Sequence, residues 1–132
     1  MFLNSLSKTH KKLFMELAIK AAEANGVVEL AEKNMLKAFS IEMSIEPFYS
    51  TNSDIETILQ KMEATATENE KRIVLFELMG ILISDEEFDE EERRFLEKVR
   101  SVFEVSESKC DEMMKLLYEY SSLYKRIVAA VL

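Results

Sequence analysis

The sequence has few residues that break helices or cross-link a chain. Its 132 residues include two glycines, one proline, one cysteine, one histidine and no tryptophan. The single cysteine, Cys110, excludes an intramolecular disulfide, and together with the single histidine it excludes a zinc site of four Cys/His ligands. Because helix breakers are rare and good helix formers abundant, the composition predicts an all-α fold. The length fits one domain, residues 1–132.

Targeting and membrane-spanning segments are also missing from the pattern. Lysines and a glutamate interrupt the apolar positions of the N-terminal segment, which argues against a signal peptide. The apolar run "IVAAVL" is far shorter than the roughly 20 residues that a membrane span needs. We therefore expect a cytoplasmic protein.

The charge is acidic and unevenly distributed. The formal net charge is −8, which argues against a nucleic-acid partner because phosphates attract clustered Lys and Arg. Residues 67–132 hold sixteen acids and ten bases, whereas residues 1–66 hold nine acids and seven bases. The basic stretch "KTHKK", residues 8–12, is interpreted as a solvated helix end, with contact to an acidic partner or a membrane surface as the functional alternative.

Apolar residues recur at helical spacing along most of the chain. The first predicted helix carries the stripe Leu13, Phe14, Leu17, Ala18, Ala21 and Ala22 and ends at Asn25-Gly26. Capping boxes are predicted at Ser53/Glu56 and Thr67/Glu70. The helix that follows Thr67 is apolar around most of its circumference and should be the central one. Further helices are expected to begin near Glu90, Ser106 and Leu123, with Ile127 among the packing residues.

The segment "ISDEEFDEEERRFL" packs seven carboxylates into residues 85–92. An EF-hand loop beginning at Asp85 fails, because its sixth position is Glu90 instead of glycine and its twelfth is Leu96 instead of glutamate. Asp89 and Glu92 have the spacing of a capping box, and acids are favoured in a first helical turn. That interpretation explains residues 89–92 and leaves Asp85, Glu86 and Glu87 unexplained.

The second half of the chain aligns with the first half without a gap. In this self-alignment Asn25 falls on Asp85, Glu32 on Glu92, Leu36 on Leu96 and Met43 on Phe103. We interpret this as two pseudo-symmetric helical repeats, approximately residues 8–66 and 67–132, with chance alignment of two amphipathic helices as the alternative. Glu32 and Glu92 should then occupy equivalent positions.

The segments "AAEANGVVELAEKNMLKAFSIEMSI" and "ILISDEEFDEEERRFLEKVRSVFEV" resemble the two halves of the TerB family, tellurite-resistance protein B. Asn25 stands where that family has Asp, and Glu86 stands where it has Gly. The resemblance implies a compact bundle of about seven helices. It also implies a cytoplasmic, non-enzymatic role in bacterial stress or metal-resistance systems, with metal binding at the acidic turns.

These observations predict a weak divalent-cation site for calcium or magnesium. Its ligands are Asp85, Asp89 and Glu92, and Asn25 with Glu32 forms the weaker counterpart. Hard cations take six to eight oxygen ligands, so backbone carbonyls and waters would complete the shell. The alternative is that Glu92 only caps its own helix while Asp85 faces water.

The sequence is compatible with two functions. One is a cation-responsive stress module, and the other is a metal-free helical module that binds a protein partner. An enzyme is not expected, because nothing places His10 near Cys110 and no oxyanion turn accompanies them. The sequence leaves the oligomeric state open, a homodimer included.

Overall fold

The computed structural model describes residues 1–24, 29–83 and 89–132, most of which lie in helices. No strand occurs in these ranges, so the predicted all-α class is confirmed. The described ranges contain six α-helices, close to the expected seven, and none of these six has the length and hydrophobicity that a membrane crossing needs. A short 3-10 helix, Leu3–Ser5, precedes α1 Lys8–Glu23, α2 Leu30–Met43, α3 Ile55–Thr65, α4 Glu68–Leu82, α5 Glu90–Val102 and α6 Glu107–Val131.

Two helices, α1 and α4, form the centre of the bundle. Helix α1 packs against α2, α3 and α4, while α4 packs against α1, α5 and α6. The predicted stripe of α1 is buried, and the central position predicted for the helix after Thr67 is confirmed. The fully buried side chains of α4 are Val74, Leu75, Leu78 and Met79. The core therefore lies between two helices that belong to different halves of the sequence.

Most helices begin at a side chain that caps them. The N-cap oxygen accepts a hydrogen bond from the backbone N–H three residues later, which satisfies one of the unpaired donors of the first turn. The capping boxes predicted at Thr67/Glu70 and Asp89/Glu92 are present. The one predicted at Ser53/Glu56 is wrong, because Asp54 is the N-cap and accepts from the Thr57 N–H at 2.7 Å. The other side-chain caps are Ser7 and Ser106.

The first two helices of each half start at matching positions of the self-alignment and end within one residue of matching positions. Ser7 and Thr67 are both N-caps, and so are Glu29 and Asp89, and each pair falls on matching positions of the self-alignment. Helices α2 and α5 are followed by left-handed residues that also match, Ser44 with φ 57° and Glu104 with φ 55°. Each of these ends closes a Schellman motif with two backbone hydrogen bonds. Descent from a duplication stays a prediction.

The third helices of the two halves differ. Residues 44–54 connect α2 to α3, whereas only residues 103–106 connect α5 to α6. The predicted helix start at Leu123 is wrong, because α6 runs without a break to Val131 and contains neither glycine nor proline. The predicted packing role of Ile127 is also wrong: this side chain is half exposed, since α6 extends beyond the bundle.

Candidate functional site

The predicted cation ligands Asp89 and Glu92 meet at the start of α5. Asp89 Oδ1 accepts from the Glu92 N–H at 2.8 Å, and Glu92 Oε1 accepts from the Asp89 N–H at 3.3 Å. Glu92 is only 3 % exposed, whereas its neighbours Glu90 and Glu91 are exposed. The start of α5 thus combines one buried carboxylate, Glu92, with exposed acidic neighbours.

The start of α2 places Glu32 at the equivalent position but without the same hydrogen bonds. Its N-cap, Glu29, makes no side-chain capping bond. Glu32 Oε2 is buried and has no hydrogen-bond partner within residues 1–24, 29–83 and 89–132. A buried carboxylate oxygen without a partner is costly, so this position is the less satisfied of the two helix starts.

Two of the five predicted ligands, Asn25 and Asp85, lie outside the described residues. Over the parts of the chain that are described, no three His, Cys, Asp or Glu side chains come close enough together to hold a metal ion. The structure therefore brings Asp89 and Glu92 together and places Glu32 in the matching position of the other half. Carboxylate oxygens of this kind suit calcium or magnesium in their chemistry.

Sequence reasoning missed a second polar cluster, at the contact between α1 and α4. Glu70 Oε2 accepts from the Ser7 N–H at 3.0 Å and lies 2.9 Å from His10 Nδ1, while Glu70 Oε1 accepts from the Thr67 N–H at 3.2 Å. One carboxylate therefore caps the starts of both central helices. The signal was the self-alignment of the chain, which pairs His10 with Glu70.

The ring of His10 is enclosed by this cluster. It is 6 % exposed, and its Nε2 lies 2.8 Å from Thr65 Oγ1, whose hydroxyl donates to the Lys61 carbonyl at 2.7 Å. Since Nδ1 faces the Glu70 carboxylate, both ring nitrogens have a polar partner inside the bundle. Burial acts to raise the pKa of Glu70, but the two N–H donors and His10 outweigh it and hold that pKa below its usual value.

Two further carboxylates, of the buried Glu77 and the exposed Glu42, hold the N-terminal segment on the bundle. Glu77 Oε1 accepts from the Phe2 N–H at 2.8 Å, and Glu42 Oε2 accepts from the Leu3 N–H at 3.0 Å. Leu3 is fully buried as a result. These acids stabilise the fold by hydrogen bonding to backbone donors, and they show that an acidic side chain in this protein is not by itself a ligand site.

The features that sequence reasoning weighed as an enzyme centre are engaged in packing. The His10 ring contacts Ser7, Thr65 and Glu70. Cys110 is 8 % exposed, and its burial raises the pKa of the thiol. A raised pKa disfavours the thiolate, which is the nucleophilic form of cysteine.

Comparison with protein families shows a match over most of the chain. The family described as tellurite resistance protein TerB matches residues 4–115. The chain belongs to the TerB family. The TerB match covers the 3-10 helix, α1 to α5 and the first part of α6. Comparison with curated proteins and with solved structures gives no match. The resemblance found in the sequence of the two acidic turns is therefore confirmed, and residues 116–132 lie beyond the region that the TerB family matches.

Proposed function

We propose that this TerB-family chain is a non-enzymatic, cytoplasmic module of the tellurite-resistance and stress-response type that binds a divalent cation weakly at its acidic helix starts. The family match supports a role of tellurite-resistance type. Cation binding is supported by a single observation, the buried Glu32 Oε2 without a hydrogen-bond partner among the described residues. A calcium or magnesium ion would satisfy that oxygen.

The position of Glu92 supports a second cation site, equivalent to the one at Glu32. Glu32 and Glu92 are both the third residue of a helix whose N-cap precedes it by three positions. The N-terminal end of a helix repels a cation, so several carboxylates are needed to hold one there. Glu29, Asp89 and the predicted ligand Asp85, which lies outside the described residues, supply further negative charge. Affinity should therefore be modest.

The test is thermal unfolding of the native chain with calcium, with magnesium and with a chelator. A ligand that binds only the folded state raises stability, by about 2.7 kcal/mol at a concentration of 100 times its Kd. We expect millimolar calcium to raise Tm, and the double variant Glu32→Gln/Glu92→Gln to lose that rise. The matched control is Glu90→Gln/Glu91→Gln, which removes the same charge from exposed positions of the same acidic region.

A metal-free helical interaction module is the second candidate. It is favoured by the complete capping box at Asp89 and Glu92, which gives both residues a structural role without any ion. An unchanged Tm at millimolar calcium and magnesium would reject the cation-binding proposal and leave this candidate. A calcium-dependent rise in Tm that persists in the double variant and disappears in the control would show that the ion binds at the exposed residues Glu90 and Glu91.

A further inference from the structure

The second half of α6 is a helix without a neighbour among the described residues of its own chain. Among the 25 residues of α6, only Cys110 is buried. Leu117 still packs against the core, but six large apolar side chains from Leu116 onward are half exposed or more: Leu116 53 %, Tyr120 52 %, Leu123 51 %, Tyr124 57 %, Ile127 50 % and Val131 74 %. We call these six residues the C-terminal stripe. A solvated helix is expected to be polar all round, so a continuous apolar stripe requires another explanation.

The spacing of the apolar residues is that of a coiled coil. Alternating steps of four and three residues lead from Leu116 through Tyr120, Leu123 and Ile127 to Ala130, all of them apolar or aromatic. Such a sequence of a and d positions over about two heptads is typical of a helix that packs along another helix. Tyr124 and Val131 widen the stripe on one side, and the rings of Tyr120 and Tyr124 are stacked at 6.4 Å.

We propose that the C-terminal stripe pairs with the same stripe of a second copy of this chain, in antiparallel orientation. In that register Tyr120 packs against Leu123 of the second copy, and Leu116 packs against Ile127. Every layer then joins an a position to a d position, which is the arrangement of antiparallel helices. The pairing is symmetric, because each contact occurs twice about the two-fold axis.

The charges beside the stripe favour this orientation. Glu119 and Arg126 both occupy the position that immediately precedes an a residue, and neither forms an ion pair with the described parts of the chain. In the antiparallel register Glu119 of one copy faces Arg126 of the other, twice in the dimer. A parallel pair would set Glu119 beside Tyr124 of its neighbour and would form no such ion pair.

The stripe also lies in the least acidic part of the molecule. Residues 116–132 contain one acid, Glu119, and two bases, Lys125 and Arg126, although the whole chain carries a net charge of −8. Two acidic molecules repel each other least when they meet through such a segment. An anionic membrane surface is disfavoured as the occupant, since the acidic body of the bundle is attached directly to this helix.

The available area indicates a dimer of moderate affinity. The six side chains of the stripe each expose about half of roughly 150 to 200 Å², which gives on the order of 500 Å² of apolar surface per copy. Standard interfaces bury about 800 Å² per partner, and flanking residues supply part of the difference. We therefore expect dissociation in the micromolar range.

Sedimentation equilibrium of the full chain from about 1 to 500 μM tests the proposal directly. We expect a monomer–dimer equilibrium that Leu123→Glu weakens at least about 30-fold, because it buries a charge at the centre of the pairing. The matched control Ser122→Glu, one residue away on the other side of the helix, should leave dimerisation unchanged. Both positions are exposed in the monomer, so circular dichroism should show intact helices in both variants.

A charge exchange tests the orientation. Glu119→Arg and Arg126→Glu alone should each weaken the dimer about fivefold, and the double variant should restore it, because the exchanged charges face each other again. A monomer at 500 μM, or a dimer that Leu123→Glu leaves intact, would overturn the proposal. Binding of the monomeric chain to phosphatidylglycerol vesicles would also overturn it and assign the stripe to a lipid surface.

Discussion

The two halves of the chain share their backbone boundaries and differ in their polar side chains. Helices α1 and α4, and α2 and α5, begin at equivalent positions of the two halves. Yet the third residue of α1 is His10 and that of α4 is Glu70, and they bind each other. At the start of the second helix, Glu29 makes no side-chain cap where Asp89 makes a complete capping box. The two halves therefore share the positions of their helix starts, while their polar side chains have different roles.

The largest effect should come from the equivalent core positions Met43 and Phe103, which are 1 % and 0 % exposed. Phe103→Ala should lower the free energy of unfolding by about 3 to 5 kcal/mol, because it leaves a cavity. Phe103→Met places the residue of the first half at the matching position of the second. If the two positions are equivalent, this change should cost less than about 1.5 kcal/mol in urea unfolding. Equal losses in both variants would contradict that equivalence.

A smaller loss is expected from Glu70→Gln, which breaks the polar contact between the halves. The amide cannot accept from both the Ser7 and Thr67 N–H groups and face His10, so about 2 to 3 kcal/mol should be lost at neutral pH. Glu68→Gln removes an exposed carboxylate two residues earlier and should cost less than about 0.5 kcal/mol. Urea unfolding of both variants and of the native chain measures the difference. Similar losses of unfolding free energy would mean that Glu70 stabilises the fold no more than an exposed carboxylate does.

The contribution of Glu70 should depend on pH in one direction. Because its pKa in the folded state lies below the ordinary value of 4.5, its stabilising effect is complete above that value and is lost as the pH falls through the folded pKa. The difference in unfolding free energy between the native chain and Glu70→Gln should therefore be constant near neutral pH and shrink below about pH 4.5. A difference that grows on acidification would show that the carboxylate is not the stabilising form.

The smallest effect separates the two second-helix starts. Asp89→Ala removes a side chain that caps α5 and should cost about 1 kcal/mol. Glu29→Ala changes the equivalent N-cap of α2, which makes no side-chain cap, and should stay within about 0.5 kcal/mol. Thermal unfolding of the two variants measures the contrast. Equal losses would mean that Glu29 stabilises its helix in solution as Asp89 does.

The sequence predicted what depends on neighbouring residues. The caps at Thr67 and Asp89 were recognised because their partners lie three positions away. The N-cap of α3 was misplaced by one, since Ser53 and Asp54 both have a side chain that can cap. The contact between His10 and Glu70 joins two positions that are distant in the sequence and became visible only when the helices were packed. The candidate cation site was predicted by family resemblance, and part of it, Asn25 and Asp85, lies outside the described residues.

The C-terminal stripe shows a second limit of sequence patterns. Its spacing resembles that of a packing helix, and periodicity shows that a face is apolar without showing what covers it. Ile127 was therefore expected to pack within the chain. In the structure the bundle is already closed by α1 and α4, so the second half of α6 has no neighbour among the described residues.

The contact between His10 and Glu70 needs one residue from each half, so two identical halves could not form it. Suppose that two copies of the α4–α6 half associated as α1–α3 and α4–α6 do: two Glu70 carboxylates would then meet in a buried site and repel each other. Two copies of the α1–α3 half would instead oppose two imidazoles, with no carboxylate to cap the central helices. Only a mixed pair gives a base facing an acid. The requirement for one half of each kind disfavours a bundle made of two copies of the same half. The covalent link between the halves ensures that each bundle contains one of each.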